Sequence, residues 1–380
     1  MSLKTDIVHT VDLPEGQAAT HAIVIGVGSY PHGRSALTKS TVTDLLSPVP
    51  SATAMANWLI NDFDHPERPL ATVSLIVSAD EPFVYRNPIT GVDYEVPQGT
   101  AAEVERYVRD WVTRAAANPE NGCIFYFCGH GVRSGQRDAV LTRSYGEDPY
   151  DSLSGIFERA SLQNALRILG PQHQLLMFDT CRKDDPSVFE GNDNLTNFLK
   201  VSRPAPGLSA VQQSRLFAAA EGFEAYGRTC GGPSLFATEF LKACTHAVIW
   251  NGDWWVESTL VQQQIARAIG DQQCQHEGVG TSFCRLNDDP IVPVVVHSKP
   301  SSDLERMRIA CSSKTGVQWS FDGSAELEVT EWRLELQYDT YDFTASACRV
   351  DDFQTINNSS VMIFPPYRMI MIDIERGVLK

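Results

Sequence analysis

The apolar residues of this chain follow two rhythms. Short runs with almost no polar interruption occur at His21–Gly28 (HAIVIGVG), Ala71–Val77 (ATVSLIV), Gly122–Cys128 (GCIFYFC) and His173–Phe178 (HQLLMF). Runs of this length, rich in β-branched and aromatic residues, predict strands buried on both faces. Arg215–Ala220 is a further candidate strand, and Ile291–Val296 is another apolar block. Elsewhere apolar positions return every three or four residues. In Thr100–Ala117, Val104, Tyr107, Val108, Trp111, Val112 and Ala115 share one helical face, Thr100 and Glu103 have capping-box spacing, and Asn118-Pro119 ends the helix. Ser51–Asp62, Ser161–Leu169, Ser234–Ala247 and Ser258–Ile269 predict four more helices. Residues 1–20 are polar and mixed and read as an arm. Residues 81–99 read as a loop with a small hairpin.

Apolar strands alternating with amphipathic helices predict an α/β core, a mostly parallel sheet flanked by helices. Beyond residue 300 the rhythm changes. Trp332, Leu334, Leu336 and Tyr338 alternate with Arg333, Glu335 and Gln337, the period of a half-exposed strand. Val361–Phe364 and Met369–Ile372 flank a Pro-Pro turn. The expected organisation is an N-terminal arm (1–20), an α/β domain (21–297) and a smaller β-rich C-terminal appendage (301–380).

Composition adds exclusions. Apolar residues make up 43% of the 380 and charged residues 21%, as in ordinary globular chains. No apolar run approaches the ~20 residues that span a bilayer, and Met1–Pro14 lacks the pattern of a secretory signal, so no membrane partner is expected. The net charge of −16 disfavours a nucleic-acid partner. The nine cysteines are dispersed and form no CxxC pair. That argues against a disulfide framework or a structural zinc, and for a reducing, cytoplasmic setting.

The candidate chemistry lies at two strand ends. In open parallel sheets, ligands sit beyond the carboxyl ends of the strands. Gly122–Cys128 runs straight into Gly129-His130-Gly131, and His173–Phe178 into Asp179-Thr180-Cys181. An imidazole and a thiol, 51 residues apart in sequence, are thereby sent to one edge. A nucleophilic Cys needs such a base or cationic partner. Gly131 permits close backbone approach to a substrate, and main-chain N–H groups near Gly131 and Cys181 offer an oxyanion site. Cys123, Cys128, Cys230 and Cys244 read as small buried hydrophobes. Gly26, Gly28 and Gly33 fit no nucleotide-binding spacing and read as a turn.

The segments CIFYFCGHG (Cys123–Gly131) and LLMFDTC (Leu175–Cys181) resemble the caspase-like cysteine peptidases, the caspase/metacaspase group, in which His and Cys lie roughly fifty residues apart. AAAEGFEAY (Ala218–Tyr226) and GGPSLFATEFL (Gly231–Leu241) resemble the small-subunit strand and following helix of that fold. The resemblance covers about residues 20–295. It implies that 21–297 is a caspase-like peptidase domain, with His130 as general base, Cys181 as nucleophile, and the N–H groups of Gly131 and Cys181 as oxyanion donors. It implies a protein or peptide substrate and no cofactor in the chemistry. Asp179, two residues before the nucleophile, is closer to the metacaspase pattern than to caspases, which carry Gln there. It implies a carboxylate in the S1 pocket and cleavage after Arg or Lys. Glu224, Tyr226 and Asp44 are further candidate substrate-binding residues. Arg182 follows Cys181 as in caspases, and Leu46–Ala52 lacks the Asp that metacaspases often place there, so the pattern is mixed. Calcium activation is common in metacaspases, with Asp184, Asp185, Asp148 and Asp151 as acidic candidates here; their spacing is no EF-hand, and solvated loops are the favoured alternative. Segment 182–213 falls at the intersubunit junction and is a candidate activation loop, with Lys183, Lys200 and Arg203 as points of self-cleavage; an uncut exposed loop is the alternative. The appendage at 301–380 is a candidate regulatory region for an upstream activator. Two other readings stay open: a protease cleaving after Asp, and a caspase-fold interaction module without catalysis. A different Cys-His acyltransferase or amidase is disfavoured by the Gly-Gly-Pro-Ser-Leu-Phe segment.

Overall fold

In a computed structural model the apolar runs become the middle of one seven-stranded sheet. The structure describes residues 3–35, 40–135, 137–148, 150–151, 153–182, 196–197, 199, 211–225, 231–270, 274–299, 306–313, 318–324, 330–337, 339–348, 353–363, 368–373 and 378–379. The strands of the sheet are β1 (Ile7–Thr10), β2 (Thr20–Val27), β3 (Leu70–Ser78), β4 (Gly122–Cys128), β5 (His173–Asp179), β6 (Gln212–Phe217) and β7 (Gln275–Gly278), in the spatial order β7-β6-β5-β4-β2-β3-β1. Strands β2 to β6 are parallel. The edges β1 and β7 run antiparallel to β3 and β6. Every residue of β3 and β4 is buried. That is why their sequences carry no alternation: a sheet covered on both sides asks for apolar side chains at both parities.

Five helices supply the covers: α1 (Pro48–Asn61), α2 (Ala101–Ala115), α3 (Arg159–Leu169), α4 (Leu235–Ala243) and α5 (Ser258–Ile269). Helix α2 starts where the sequence places it. The Thr100 side chain caps the Glu103 N–H, and Glu103 returns a bond to the Thr100 N–H. Its face of Val104, Val108, Trp111, Val112 and Ala115 joins one core with Ile23, Ile25, Phe125, Phe127, Leu176 and Phe178, and α3 adds Leu162 and Leu166. Burial of each such large side chain is worth roughly 1.5–3 kcal/mol. The indole of Trp111 keeps its polar handle satisfied by donating to the His21 carbonyl at 2.9 Å. On the other face Trp58 of α1 packs edge-on against Phe240 of α4, with ring centroids 5.4 Å apart. Gly26 has its reason here: a Cβ would stand 2.5 Å from the Pro48 carbonyl oxygen and 2.7 Å from the Ala52 Cβ, so the glycine seats α1 on β2.

The differences from the sequence reading are local. Helix α1 begins at Pro48, three residues before Ser51, because proline is well suited to the first helical turn. The N-terminal arm contributes the edge strand β1. Beyond His130 lies an antiparallel run of Gly131–Ser134, Arg137–Leu141 and Ile156–Glu158 that the apolar pattern did not announce. These short edge elements carry too few residues for periodicity to register.

The chain divides into two compact units, Met1–Cys244 with Glu257–Arg285, and Thr245–Val256 with Leu286–Lys380. The second unit holds two four-stranded sheets. One pairs Ile291–Lys299 with Thr330–Gln337 and with Arg368–Asp373. The alternation seen at 332–338 is visible there, with Leu334 and Leu336 buried. The other sheet is built from Arg306–Ser313, Gln318–Ser324, Asp339–Cys348 and Phe353–Ile363. Among the described residues no helix is long and apolar enough to cross a membrane.

Candidate active site

Strand register sends the chain segments bearing His130 and Cys181 to the same edge of the sheet. In the parallel pair β4–β5, Cys128 lies opposite Asp179. The ladder continues one step further, the Gly129 N–H donating to the Asp179 carbonyl at 3.3 Å. His130 and Cys181 each follow that pair by two residues, so they occupy equivalent places on neighbouring strand ends. Neighbouring strands are ~4.8 Å apart. Gly131 is pressed onto the second strand end: a Cβ there would lie 2.4 Å from the Cys181 carbonyl oxygen and 2.7 Å from the Thr180 Oγ1. The close approach that requires glycine is therefore an approach to the chain bearing the thiol.

The contacts of His130 fix its tautomer. Its Nε2 lies 2.7 Å from the Thr43 carbonyl oxygen. A carbonyl only accepts, so Nε2 carries the hydrogen and Nδ1 keeps its lone pair. The His130 backbone N–H donates to the Tyr30 hydroxyl at 2.9 Å, and the two rings meet edge-on with centroids 4.9 Å apart. Asp44, the exposed candidate from the sequence, accepts the Tyr30 backbone N–H at 2.6 Å. Burial lowers the pKa of His130 below the ordinary imidazole value, opposed by the bond to Thr43 and the charge of Asp44. NMR titration is therefore expected to place the His130 midpoint below 6.5. Asp44→Asn, which keeps the acceptor and removes the charge, is expected to move it lower still. A midpoint at or above 6.5 would contradict the burial argument.

Cys181 is partly exposed, whereas Cys123, Cys128, Cys244, Cys274 and Cys284 are buried. Burial pushes the thiols of Cys274 and Cys284 up to about 12, and those of Cys123, Cys128 and Cys244 up as well. Such thiols are poor nucleophiles at neutral pH. The Cys181 Sγ accepts the Ala225 N–H at 3.3 Å and lies 3.8 Å from the Ala225 carbonyl oxygen.

Asp179 closes β5, two residues before Cys181, and is 4% exposed. Its Oδ2 accepts the Tyr126 hydroxyl at 2.7 Å and also the Ser234 hydroxyl. Burial raises the carboxyl pKa, and hydrogen bonds from Ser234, Tyr126 and Cys128 hold it down. Ser234 is the N-cap of α4, its Oγ accepting the Ala237 N–H at 2.9 Å. Glu224 is exposed and adjoins Ala225. Tyr226 lies outside the described residues, as do Cys230, Lys183, Asp184, Asp185, Lys200, Arg203 and most of 182–213. Asp148 and Asp151 each accept a nearby backbone N–H of their own loop. Among the described residues no group of three or more His, Cys, Asp or Glu side chains converges to hold a metal ion.

Thr43, Tyr30, Tyr126, Ser234 and Ala225 were not singled out from the sequence. Four of them act through a main-chain atom or a hydroxyl, for which no local pattern exists. Tyr126 is hidden inside an apolar run, where its ring dominates the signal.

The caspase-domain model of the Peptidase_C14 family matches residues 19–248, more than half of the chain. A caspase-1 crystal structure from Spodoptera frugiperda aligns with a TM-score of 0.41 and 10% identity, over 73% of this chain and 94% of that one. An uncharacterized protein, y4kE of Sinorhizobium fredii (strain NBRC 101917 / NGR234), is 28% identical over 96 residues, which are 25% of this chain and 27% of that protein. On the family match, which spans the strands bearing both His130 and Cys181, the chain belongs to the caspase-domain family of peptidases.

Proposed function

We propose that the protein is a cysteine endopeptidase working through a Cys181–His130 dyad. The observation that carries this reading is the placement of His130 and Cys181 at equivalent ends of adjacent parallel strands, with the imidazole N–H committed to Thr43. Nδ1 takes the Cys181 proton, and Sγ attacks the scissile carbonyl. The oxyanion is stabilised by the N–H groups of Gly131 and Cys181. Gly131 faces Val140 across an antiparallel pair, beside the Leu141 N–H bond to the His130 carbonyl. By ladder alternation, the Gly131 N–H points away from residues 137–141. The imidazolium then protonates the leaving amine. Water, deprotonated by His130, hydrolyses the thioester and restores the thiol. The residues take part without a metal or organic cofactor, and calcium acts, in this proposal, only as an activator.

Asp179 is assigned to the S1 pocket, with the metacaspase-like preference for Arg or Lys at P1. Two hydroxyls already orient its carboxylate, and a desolvated carboxylate binds a guanidinium more strongly than an exposed one does. Glu224, Tyr226 and Asp44 are assigned supporting roles at the cleft, and the enzyme is placed in the cytoplasm under an activator acting through 301–380. The test offers fluorogenic peptides ending in Arg, Lys or Asp, with and without calcium. Cleavage after Arg or Lys is expected, and Asp179→Asn is expected to lower kcat/KM on those peptides by on the order of 10²-fold. Cleavage after Asp alone would overturn the S1 assignment. No Cys181-dependent cleavage under any trigger would leave the interaction-module reading.

A further inference from the structure

The segment that touches the nucleophile's sulfur is fastened to the residue after the nucleophile. The Arg182 N–H donates to the Phe223 carbonyl at 2.9 Å, and the Gly222 N–H donates to the Arg182 carbonyl at 3.0 Å. This two-way clasp ends two residues before Ala225, whose N–H meets the Cys181 Sγ at 3.3 Å. The side chains repeat the connection. Arg182 is 3% exposed, and its Nη2 lies 3.2 Å from Glu221 Oε1 and 2.9 Å from Asp138 Oδ2. The other carboxylate oxygen of Glu221 pairs with Arg133 Nη2 at 2.5 Å. Glu221 thus bridges two guanidinium groups on separate elements, the strand Gly131–Ser134 that follows His130 and the end of β5 that bears Cys181.

We propose that Glu221 is a positioning residue: by bridging Arg133 and Arg182 it holds residues 221–225 so that the Ala225 amide donates to the Cys181 sulfur. A hydrogen bond donated to the charged form of a group favours that form. An N–H aimed at Sγ therefore raises the thiolate fraction that His130 has to supply. The surroundings leave Glu221 as the adjustable member. Arg159 of α3 pairs with the same Asp138 oxygen, and its guanidinium lies over Phe217, as does that of Arg182. Arg215 of β6 is 3.4 Å from Glu277 of β7, which is 3.8 Å from Arg182. Those groups sit in packed strands and a helix, whereas the Glu221 side chain is half exposed and lies on a loop. Its loss removes the tie between loop and strand ends without emptying a core site.

The inference rests on Cys181 being the nucleophile, but its test does not need turnover. Cys181 alkylation by iodoacetamide is followed against pH by peptide-level mass spectrometry, in the full chain, for wild type, Glu221→Ala and Glu221→Gln. In Glu221→Ala the alkylation rate is expected to fall on the order of tenfold near pH ~6. It is expected to converge with wild type near pH ~10, where the thiol is ionised in both. Glu221→Gln, which keeps an acceptor for one arginine, is expected to lie between them and serves if the alanine variant fails to fold. Superimposable profiles would overturn the proposal, as would a uniform change at every pH, which reports access to the sulfur instead of its ionisation. A wild type that alkylates as expected but cleaves no peptide would count against the peptidase reading alone.

Discussion

Cys181→Ala is expected to abolish peptide hydrolysis while leaving the fold in place. Cys123, Cys128, Cys244, Cys274 and Cys284 are buried, and burial raises all of their pKa values, so none of these offers a substitute nucleophile. Loss of a catalytic nucleophile costs on the order of 10⁴-fold or more in kcat, with binding and oxyanion donors supplying what remains. The Cys181 side chain is partly exposed, and its sulfur contacts the Ala225 main chain, so its removal opens no large cavity. Thermal unfolding close to wild type is the accompanying expectation. The same pair of proteins tests self-processing: after incubation with calcium, wild type is expected to split within 182–213, at Lys183, Lys200 or Arg203, and the variant to keep its intact mass. Turnover by Cys181→Ala at the wild-type rate would show that the nucleophile lies elsewhere.

Gly131→Ala has the second largest expected effect, and its cause is steric. The added methyl carbon would stand 2.4 Å from the Cys181 carbonyl oxygen, 2.7 Å from Thr180 Oγ1 and 2.8 Å from Thr180 Cβ. The first of these is main chain at the end of β5, which gives way only if the strand end moves. Overpacking of this kind costs about 1–3 kcal/mol. The displaced atoms belong to the chain bearing Cys181, the nucleophile of the proposed dyad, and misplacement of reacting groups by ~1 Å costs about 10²-fold in rate. Urea denaturation and kcat/KM on an Arg-ending peptide are therefore expected to fall together. Wild-type stability with wild-type turnover would show that the two strand ends are not in the contact described.

How much of this was legible in the sequence depends on the range of the interaction. Four of the five parallel strands announce themselves because they are buried on both faces, whereas Gln212–Phe217 opens with polar residues and overlaps the candidate Arg215–Ala220 only over residues 215–217; the α2 cap is visible because Thr100 and Glu103 are three residues apart. The edge strands β1 and β7 escape notice because an edge strand is short and tolerates polar residues, as Gln275–Gly278 does. The candidate dyad was legible because two different strands end in chemically distinctive residues, and the structure places those ends on neighbouring strands. The role of Gly131 was legible only in kind: a close approach was expected, and the structure assigns it to the Thr180–Cys181 main chain.

By itself, then, the sequence determines the central strands and the flanking helices and singles out two candidate reactive groups, because apolar periodicity and strand-end residues are local properties. Tertiary structure decides what those groups meet. Register places Cys128 against Asp179, so that His130 and Cys181 each lie two residues beyond a paired position. A loop carbonyl 87 residues away from His130 selects its tautomer. Hydroxyls 53 and 55 residues away from Asp179 bind its carboxylate. An amide 44 residues beyond Cys181 reaches its sulfur. Each is a contact between segments distant along the chain, made through backbone atoms or single hydroxyls, and no local spacing encodes such a contact.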